Sequence, residues 1–381
     1  MPEAYITGVG FHPFGKFPHK TLKEIAADAA LRALEDAGLD PDGIDAAFCA
    51  NAYSGILTGQ ESIRGETWLR TIGFGGAPII NVENACASGG AAVHMATMAV
   101  RSGMYRNVLV LGAEKMFGNT DKALQALATS SDIEVTGGIG LQFSGVDAIR
   151  AKEFMTKEKI GPEALDWVTV KSHANGVLNP NAQFRKALTA EDVRNSRMIA
   201  DPITLYMCSA ISDGAAACVV SAEPGKMRVR ISASAAACSP VRSRQGDETT
   251  AIRAARKAYA QAGLKPSDLN VVEVHDAVSP LELIYYRDLG LCDPGQLGRF
   301  IAEERAALHG SIPVNPSGGI NSRGHPVGAT GVAQVCEIAV QVAGQAGARQ
   351  VKNARRGMAL SAGGWVGDDP AFNAVHILEA A

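Results

Sequence analysis

Apolar positions along this chain follow two alternating rhythms. Short, nearly continuous apolar runs occur at residues 4–10 (AYITGVG), around Ile231, and at Asp45–Ala52, Ile79–Val82, Asn107–Leu111, Ala215–Val220, Val271–His275, Ile312–Asn315 and Met358–Ser361. Runs of this length, bounded by Gly, Pro, Asn and Asp, predict buried strands. Between them lie longer Ala-rich stretches with apolar residues at helical spacing. Two of these end at Ala37-Gly38-Leu39 and Ala262-Gly263-Leu264, and others begin near Cys86 and near His325. Glycine directly after the last periodic residue is a helix stop. Strands alternating with helices predict an α/β protein with a mostly parallel, buried sheet.

The rhythm repeats. Placing Ala262-Gly263-Leu264 over Ala37-Gly38-Leu39, an offset of 225 residues, sets Ile231 on Ile6, Tyr259 on Leu34, Pro266 on Pro41 and Leu269 on Ile44. In both copies a strand leads to an Ala-rich helix, a Pro/Asp turn and another extended run. The strand before Cys86 then matches Ile312–Asn315 before His325. A period this long marks a duplicated domain and not a solenoid. Residues 118–222 have no counterpart. They hold polar helical stretches (Asp121–Ser130, Asp147–Lys159), the loop-like segment 173–186, and a turn at Ser212-Asp213-Gly214. Long insertions of this kind lid or bind something. The organisation is therefore 1–117, a first half; 118–222, an inserted loop domain; and 223–381, a second half.

Composition narrows the function. The 381 residues carry 36 Lys+Arg against 39 Asp+Glu, a formal charge of −3, which implies no attraction to nucleic acid or an anionic membrane. The longest membrane-like stretch, Ala85–Val100, falls short of the ~20 apolar residues a span requires. The seven cysteines are scattered without CxxC or Cys/His spacing, so neither a disulfide framework nor a zinc site is expected. The N-terminal MPEAYITGVG lacks a signal-peptide pattern, and a reducing cytoplasm is the expected location.

Two segments carry candidate chemistry. Cys86 follows a strand and opens a helix, where free N–H groups lower a thiol pKa and can hold an oxyanion. A buried cysteine acting as a small hydrophobe is the competing reading, and the other six cysteines are read that way. His325 lies in Gly324-His325-Pro326-Val327-Gly328-Ala329-Thr330-Gly331, which has no phosphate-loop lysine and is not a dinucleotide fingerprint. The duplication sets Cys86 and His325 at matching strand-to-helix junctions. A pseudo-twofold would bring those helix starts together, pairing a nucleophile with its base. His275-Asp276 ends a strand, where α/β proteins place their sites. Trp68, within the segment Tyr53–Phe74, reads either as a pocket wall or as core.

Asn84-Ala85-Cys86-Ala87-Ser88-Gly89-Gly90, Ser212-Asp213-Gly214-Ala215-Ala216 and the stretch Asn315–Gly331 closely resemble the motifs of the thiolase superfamily. The likeness runs over nearly the whole chain. The His275-Asp276 pair resembles the branch of sterol-carrier-protein-type and lipid-transfer-protein-like enzymes. The resemblance implies an α/β fold with duplicated βαβαβαββ halves in a layered α/β/α/β/α core. It implies that Cys86 carries the acyl group, that His325 activates Cys86 or the coenzyme A thiol, and that His275 binds the thioester oxygen. The Cys86 backbone N–H would serve a second oxyanion hole. Ser232, Gly324 and Gly363 are expected near substrate or coenzyme A. No bound cofactor or metal is implied; coenzyme A is a substrate. A homodimer and a small partner with an OB-fold and zinc ribbon are implied as partners.

Two departures stand out. The second thiol that many thiolases carry in Cys-x-Gly-Gly is replaced here by Ser361, a possible substitute acid/base, and the cysteine that follows His-Asp in the branch is Ala277. The implied activity is a CoA-dependent thiolase acting on a 3-oxoacyl-CoA, with a non-acetyl, aromatic or branched acyl group. Retro-aldol cleavage of a 3-hydroxyacyl-CoA and non-catalytic acyl-CoA or lipid carriage are the alternatives.

Overall fold

A computed structural model describes residues 2–136, 139–140, 142–240 and 248–381. The strands of the main sheet are β1 (Tyr5–Gly15), β2 (Ala46–Ala50), β3 (Ile79–Val82), β4 (Asn107–Lys115), β5 (Asp213–Ser221), β6 (Val229–Cys238), β7 (Val271–Glu273), β8 (Arg356–Gly363) and β9 (Phe372–Ala380). The helices that frame the site are α1 (Leu22–Ala37), α2 (Ser88–Arg101), α3 (Thr120–Ala128), α4 (Phe143–Glu158), α5 (Glu163–Val177), α6 (Thr250–Ala262), α7 (Ser279–Asp288) and α8 (Val327–Val342).

The strand order is β3-β2-β4-β5-β1-β6-β9-β8-β7. Each half of this order mirrors the other, with β6 answering β1, β9 answering β5, and β8 answering β4. An isolated bridge from Val272 to Val314 takes the place of β3. The halves meet where β1 and β6 pair antiparallel, Tyr5 opposite Arg230 and Ile6 opposite Val229. These are the two first strands of the duplicated copies, and antiparallel self-pairing is what a twofold axis demands.

Parallel pairing is confined to the flanks, β2 with β3 and β4 and β7 with β8; the central pairs are antiparallel. The cause is connectivity. A short loop joins β8 to β9, and adjacent strands so joined must run antiparallel. In the first half the equivalent hairpin, β4 to β5, has its loop opened by the insertion. The expected insertion boundary at 222 is therefore corrected. Asp213–Ser221 is fully buried and pairs with both β1 and β4, so this stretch belongs to the first half.

Helices α2 and α8 pack against each other between the two half-sheets, while α1 covers the outer face of the first and α6 that of the second. The result is five layers. All sixteen residues of α8 are buried, as a helix with sheets or helices on every side requires. Helices α1 and α6 begin at Thr21 and Thr249, whose hydroxyls accept from Glu24 N and Ile252 N. Both stop at the predicted glycines: Gly38 at φ 69° and Gly263 at φ 68°, left-handed conformations that glycine adopts without strain. Within the insertion α3 packs against residues 54–58 of the first half, while the rest packs on the second, α5 against α7 and residues 319–323, α4 against α7. The segment 173–186, read as loop, is helical through Val177. Among the described residues, no helix is long and apolar enough to cross a membrane.

Candidate active site

Cys86 occupies a single 3-10 turn, Ala85–Ala87, directly before α2. The turn is held from both sides. Asn84 N donates to Ser88 Oγ (2.9 Å), which donates in turn to the Ala85 carbonyl (2.6 Å). Ala85 takes φ 48°, the left-handed region that a residue with a Cβ rarely adopts. Gly363, at the end of β8, closes over this turn. A Cβ there would stand 2.1 Å from the Asn84 carbonyl oxygen, so only glycine lets the strand approach the nucleophile's backbone.

His325 is delivered by the second half just before α8. Its N–H donates to Ser212 Oγ (3.0 Å), which explains the serine of the Ser212-Asp213-Gly214 motif. Asp213 accepts from Met116 N and Phe117 N (2.8 and 2.7 Å), fastening the insertion's two ends together. Gly324 is at φ 106°, and a Cβ there would meet Ser212 Oγ at 2.6 Å; it therefore acts through the backbone that carries His325. His325 Nδ1 lies 2.8 Å from Thr330 Oγ1, and that hydroxyl donates to the Pro326 carbonyl (3.1 Å). On this network Nδ1 carries the proton, leaving Nε2 with a free lone pair.

His275 stands edge-on to His325, ring centroids 5.2 Å apart at 74°. Its Nδ1 is buried without a hydrogen-bond partner. Asp276 turns the other way and accepts from Ile320 N (2.7 Å), fixing the glycine-rich segment before His325. That segment is tied down further by buried charge. Asn315 accepts from Val274 N (2.9 Å) and donates to Glu282 (2.7 Å), Lys171 pairs with Glu282 (2.6 Å), and Arg323 pairs with Glu273 (3.3 Å).

The outcome is one cluster. The Cys86 sulfur and a ring nitrogen of each of His275 and His325 all lie within 4.8 Å of one another. A thiol and two imidazoles at this spacing suit nucleophilic catalysis, and by ligand type they could also hold a transition-metal ion. They face a cavity of about 280 Å³ whose other walls include Leu124, Leu127, Phe143, Cys208, Val278, Leu281, Tyr285 and Trp365. One ion pair interrupts this apolar lining: Asp147 and Arg150, 3.8 Å apart, with Arg150 stacked 4.6 Å over the Trp365 ring.

Electrostatics correct one expectation. The helix start does not leave Cys86 acidic. Burial pushes its thiol up to about 12, and the carboxylate of Glu114 adds to that. Burial, with Arg323 nearby, pushes His325 down to about 3, and burial with His325 and Arg323 holds His275 well below the usual imidazole range. A helix dipole carries only about half a charge at each end, too little to offset loss of water around a thiolate. The resting pair is thus thiol and neutral imidazole, the forms a nucleophile and its general base need before reaction.

Three other sequence candidates lie elsewhere. The Ser361 hydroxyl is buried against Gly90 in the first turn of α2 and is not on the cavity lining; Gly363, two residues on and on the same face of β8, is the one that meets the Cys86 turn. Ser232 donates to the Ile377 carbonyl (3.1 Å) within the sheet and lines no part of the cavity. Trp68 is 2% exposed in the core beneath α1. Conversely, Asp147, Arg150, Trp365 and Cys208 line the cavity, although no motif in the sequence singles them out.

Comparison with known proteins agrees with this architecture. The family model "Thiolase, N-terminal domain" matches residues 3–224, and "Thiolase C-terminal domain-like" matches residues 237–379. The chain is 38% identical to an acetyl-CoA acetyltransferase of Methanothermobacter thermautotrophicus, over 99% of both chains. It is 35% identical to the benzoylsuccinyl-CoA thiolase subunit BbsB of Thauera aromatica, over 92% of this chain and 91% of that one. With sterol carrier protein 2 of Bos taurus it shares 34% identity over 93% of this chain and 68% of the relative. The solved structure "Ltp2-ChsH2(DUF35) aldolase" superposes with a TM-score of 0.83 at 25% identity, covering 100% of this chain and 98% of that chain. With its two family domains, its doubled five-layer fold and a thiol clustered with two histidines, this chain belongs to the thiolase family, in the sterol-carrier-protein branch, and is an acyltransferase of thiolase type.

Proposed function

We propose that the protein cleaves or forms a 3-oxoacyl-CoA through an acyl-Cys86 intermediate, with an acyl group larger than acetyl. The observation that carries this reading is the cluster of the Cys86 sulfur and the His275 and His325 nitrogens within 4.8 Å, set at one cavity. In the cleavage direction His325 Nε2 takes the Cys86 proton as sulfur attacks the keto carbon. Donors aimed at the developing oxyanion lower the barrier; the Cys86 N–H is one candidate. The thioester oxygen of the leaving acyl-CoA is bound by His275, whose buried ring is short of a partner. Coenzyme A then resolves the acyl-Cys86 thioester, which gives ping-pong kinetics.

An acyl group larger than acetyl fits the apolar and aromatic cavity lining, with Phe143, Leu281 and Trp365 among its walls. The similarity to a benzoylsuccinyl-CoA thiolase subunit supports an aromatic or branched group. The similar structure named "Ltp2-ChsH2(DUF35) aldolase" supports two further points: a small partner subunit, and, as a second reading, retro-aldol cleavage of a 3-hydroxyacyl-CoA. Intact-protein mass spectrometry after mixing with a panel of acyl-CoAs and 3-oxoacyl-CoAs tests the proposal. An acyl increment that Cys86→Ala abolishes is expected, and its mass names the acyl group. Turnover of a 3-hydroxyacyl-CoA without free coenzyme A and without any adduct would establish the second reading instead.

A further inference from the structure

Carbon–carbon cleavage of a 3-oxoacyl-CoA leaves an electron pair on C2, and a proton must arrive there; in the forming direction C2 must lose one. Cys86 is acylated at that stage and His325 holds the proton it took from Cys86. The His325 imidazolium could hand that proton to C2, but a proton-bearing group placed at C2 would do so without moving the imidazole, and Ser361 is not on the cavity lining. Ala277 is, but presents only a methyl group.

The structure brings a thiol to the same wall from another element. Cys208 and Val278 form an isolated antiparallel bridge, and Ser209 N donates to the Ala277 carbonyl (2.9 Å). Residues directly opposite in an antiparallel pair point to the same face, and both Cys208 and Val278 line the cavity. A cysteine from the insertion thus lies beside the segment that carries His275 and Ala277. His275, 4% exposed and with its Nδ1 unpartnered, belongs to the same lining, so its ring has a hydrogen bond left to give a ligand. The remaining proton-bearing side chains on that lining fit less well. Asp147 faces Arg150 at 3.8 Å, beyond hydrogen-bond distance, and burial raises it only to about 6, so at neutral pH it is mostly ionised and holds no proton to give; burial drives the Tyr285 hydroxyl far upward. The Cys208 thiol contacts the Thr204 carbonyl (3.6 Å), and burial raises it to about 11, so it stays protonated at neutral pH.

We propose that Cys208 is the acid/base that serves C2 of the acyl-CoA, an assignment that rests on the acyl-Cys86 reading above. When the C2–C3 bond breaks, its electron pair passes to C2 as the enolate of the leaving acyl-CoA. The Cys208 S–H proton moves to C2, leaving a Cys208 thiolate. The His325 imidazolium passes its proton to the Cys208 thiolate; neutral His325 then takes the proton of the incoming coenzyme A thiol, which attacks acyl-Cys86 as its thiolate. The expelled Cys86 thiolate then recovers its proton from His325, and every group is restored.

The test separates two reactions of one site. Exchange of the acyl group between acyl-CoA and isotopically labelled coenzyme A passes through acyl-Cys86 but needs no proton at C2. Cleavage of the 3-oxoacyl-CoA that acylates Cys86 needs both. Cys208→Ala is expected to slow cleavage by ~10²–10⁴, the usual worth of general acid–base catalysis, with exchange falling no more than about tenfold; Cys208→Ser should recover only part of the cleavage rate. Retained exchange also shows that the variant folds. Equal losses in both reactions, or cleavage within threefold of wild type, would overturn the assignment. So would the split appearing in Asp147→Asn instead. Failure of the wild-type protein to exchange or form an adduct would sink the thiolase reading itself, a distinct outcome.

Discussion

Glu114, at the end of β4, is fully buried and joins the two halves. Its Oε1 accepts from Asn51 Nδ2 (2.8 Å) and Tyr53 N (3.1 Å); its Oε2 accepts from Ala52 N (2.9 Å) and Gly328 N (3.0 Å). Gly328 is in the first turn of α8, three residues after His325. In Glu114→Gln, whichever way the amide points, its NH₂ confronts two N–H donors. At pH 5 the wild-type carboxyl carries a proton, so its hydroxyl already offers two of these donors a weaker acceptor than a carboxylate oxygen; the amide NH₂ offers none, and about 1–3 kcal/mol of stability should go. The loss should shrink at higher pH. Burial raises Glu114 from 4.5 to about 7, against the pull of its three backbone N–H donors. A carboxyl with a raised folded-state pKa contributes stability that is full below its unfolded value and is lost as pH rises through 7. From pH 5 to 8 that amounts to about 2–3 kcal/mol in wild type, at about 1.4 kcal/mol per unit; the amide has no such slope. Urea unfolding of both proteins at pH 5, 6, 7 and 8 measures it. Buried carboxyls such as Glu273 and Asp147 are common to both proteins and cancel in the difference. The stability gap should narrow by about 2–3 kcal/mol across this range, and parallel pH profiles would refute the reasoning.

Three further outcomes follow from the geometry. Thr330→Val removes the Nδ1 anchor of His325, and kcat for acyl transfer should fall about 10- to 100-fold with KM nearly unchanged; an equal change in both would mean that the anchor does not orient the base. Gly331→Ala would set a Cβ 2.3 Å from Gly90 N at the crossing of α2 and α8, where both backbones are packed between sheets, so urea or thermal unfolding should show a loss of at least about 1–3 kcal/mol; wild-type stability would show the crossing to be loose. Glu273→Gln leaves Arg323, 1% exposed, without its countercharge and should cost about 3–5 kcal/mol in urea unfolding, while a loss below about 1 kcal/mol would mean that Arg323 finds water.

The duplication was legible because both copies stop their first helix with the same Ala-Gly-Leu and keep the same strand rhythm. The helix-stop glycines and the motifs at Cys86 and His325 sit where backbone geometry demands particular residues, so sequence alone locates them. The insertion's true end was not legible. Asp213–Ser221 reads as one apolar strand, and nothing local says that it returns to the sheet beside β4. Ser361 shares its face of β8 with Gly363 but lies two residues farther from the cavity, a depth along the strand that no local signal encodes. Cys208 and the Asp147–Arg150 pair were missed because the insertion folds onto the opposite half, a long-range contact that no spacing encodes. The lower thiol pKa expected at a helix start failed on magnitude. Burial beside Glu114 outweighs half a charge of dipole.

That failure bears on how the site works. The twofold delivers one helix start from each half, but the two supply different groups, a thiol and an imidazole. Both are held in their neutral forms by the layers that hold them in place. A permanent thiolate–imidazolium pair would be reactive toward any electrophile that entered. A thiol beside a neutral imidazole becomes nucleophilic only when a substrate carbonyl receives the sulfur's electron pair as the proton leaves, with donors ready for the oxygen. The cost of ionisation is thereby tied to correct binding, and correct binding depends on the third wall, which is contributed by the insertion and not by either half. On this view the doubled fold fixes the reacting atoms, and α3, α4 and the Cys208 segment decide which acyl group brings them to react. Exchanging Leu124 or Phe143 should therefore change which acyl-CoA is used, while leaving the thiol–imidazole pair in place.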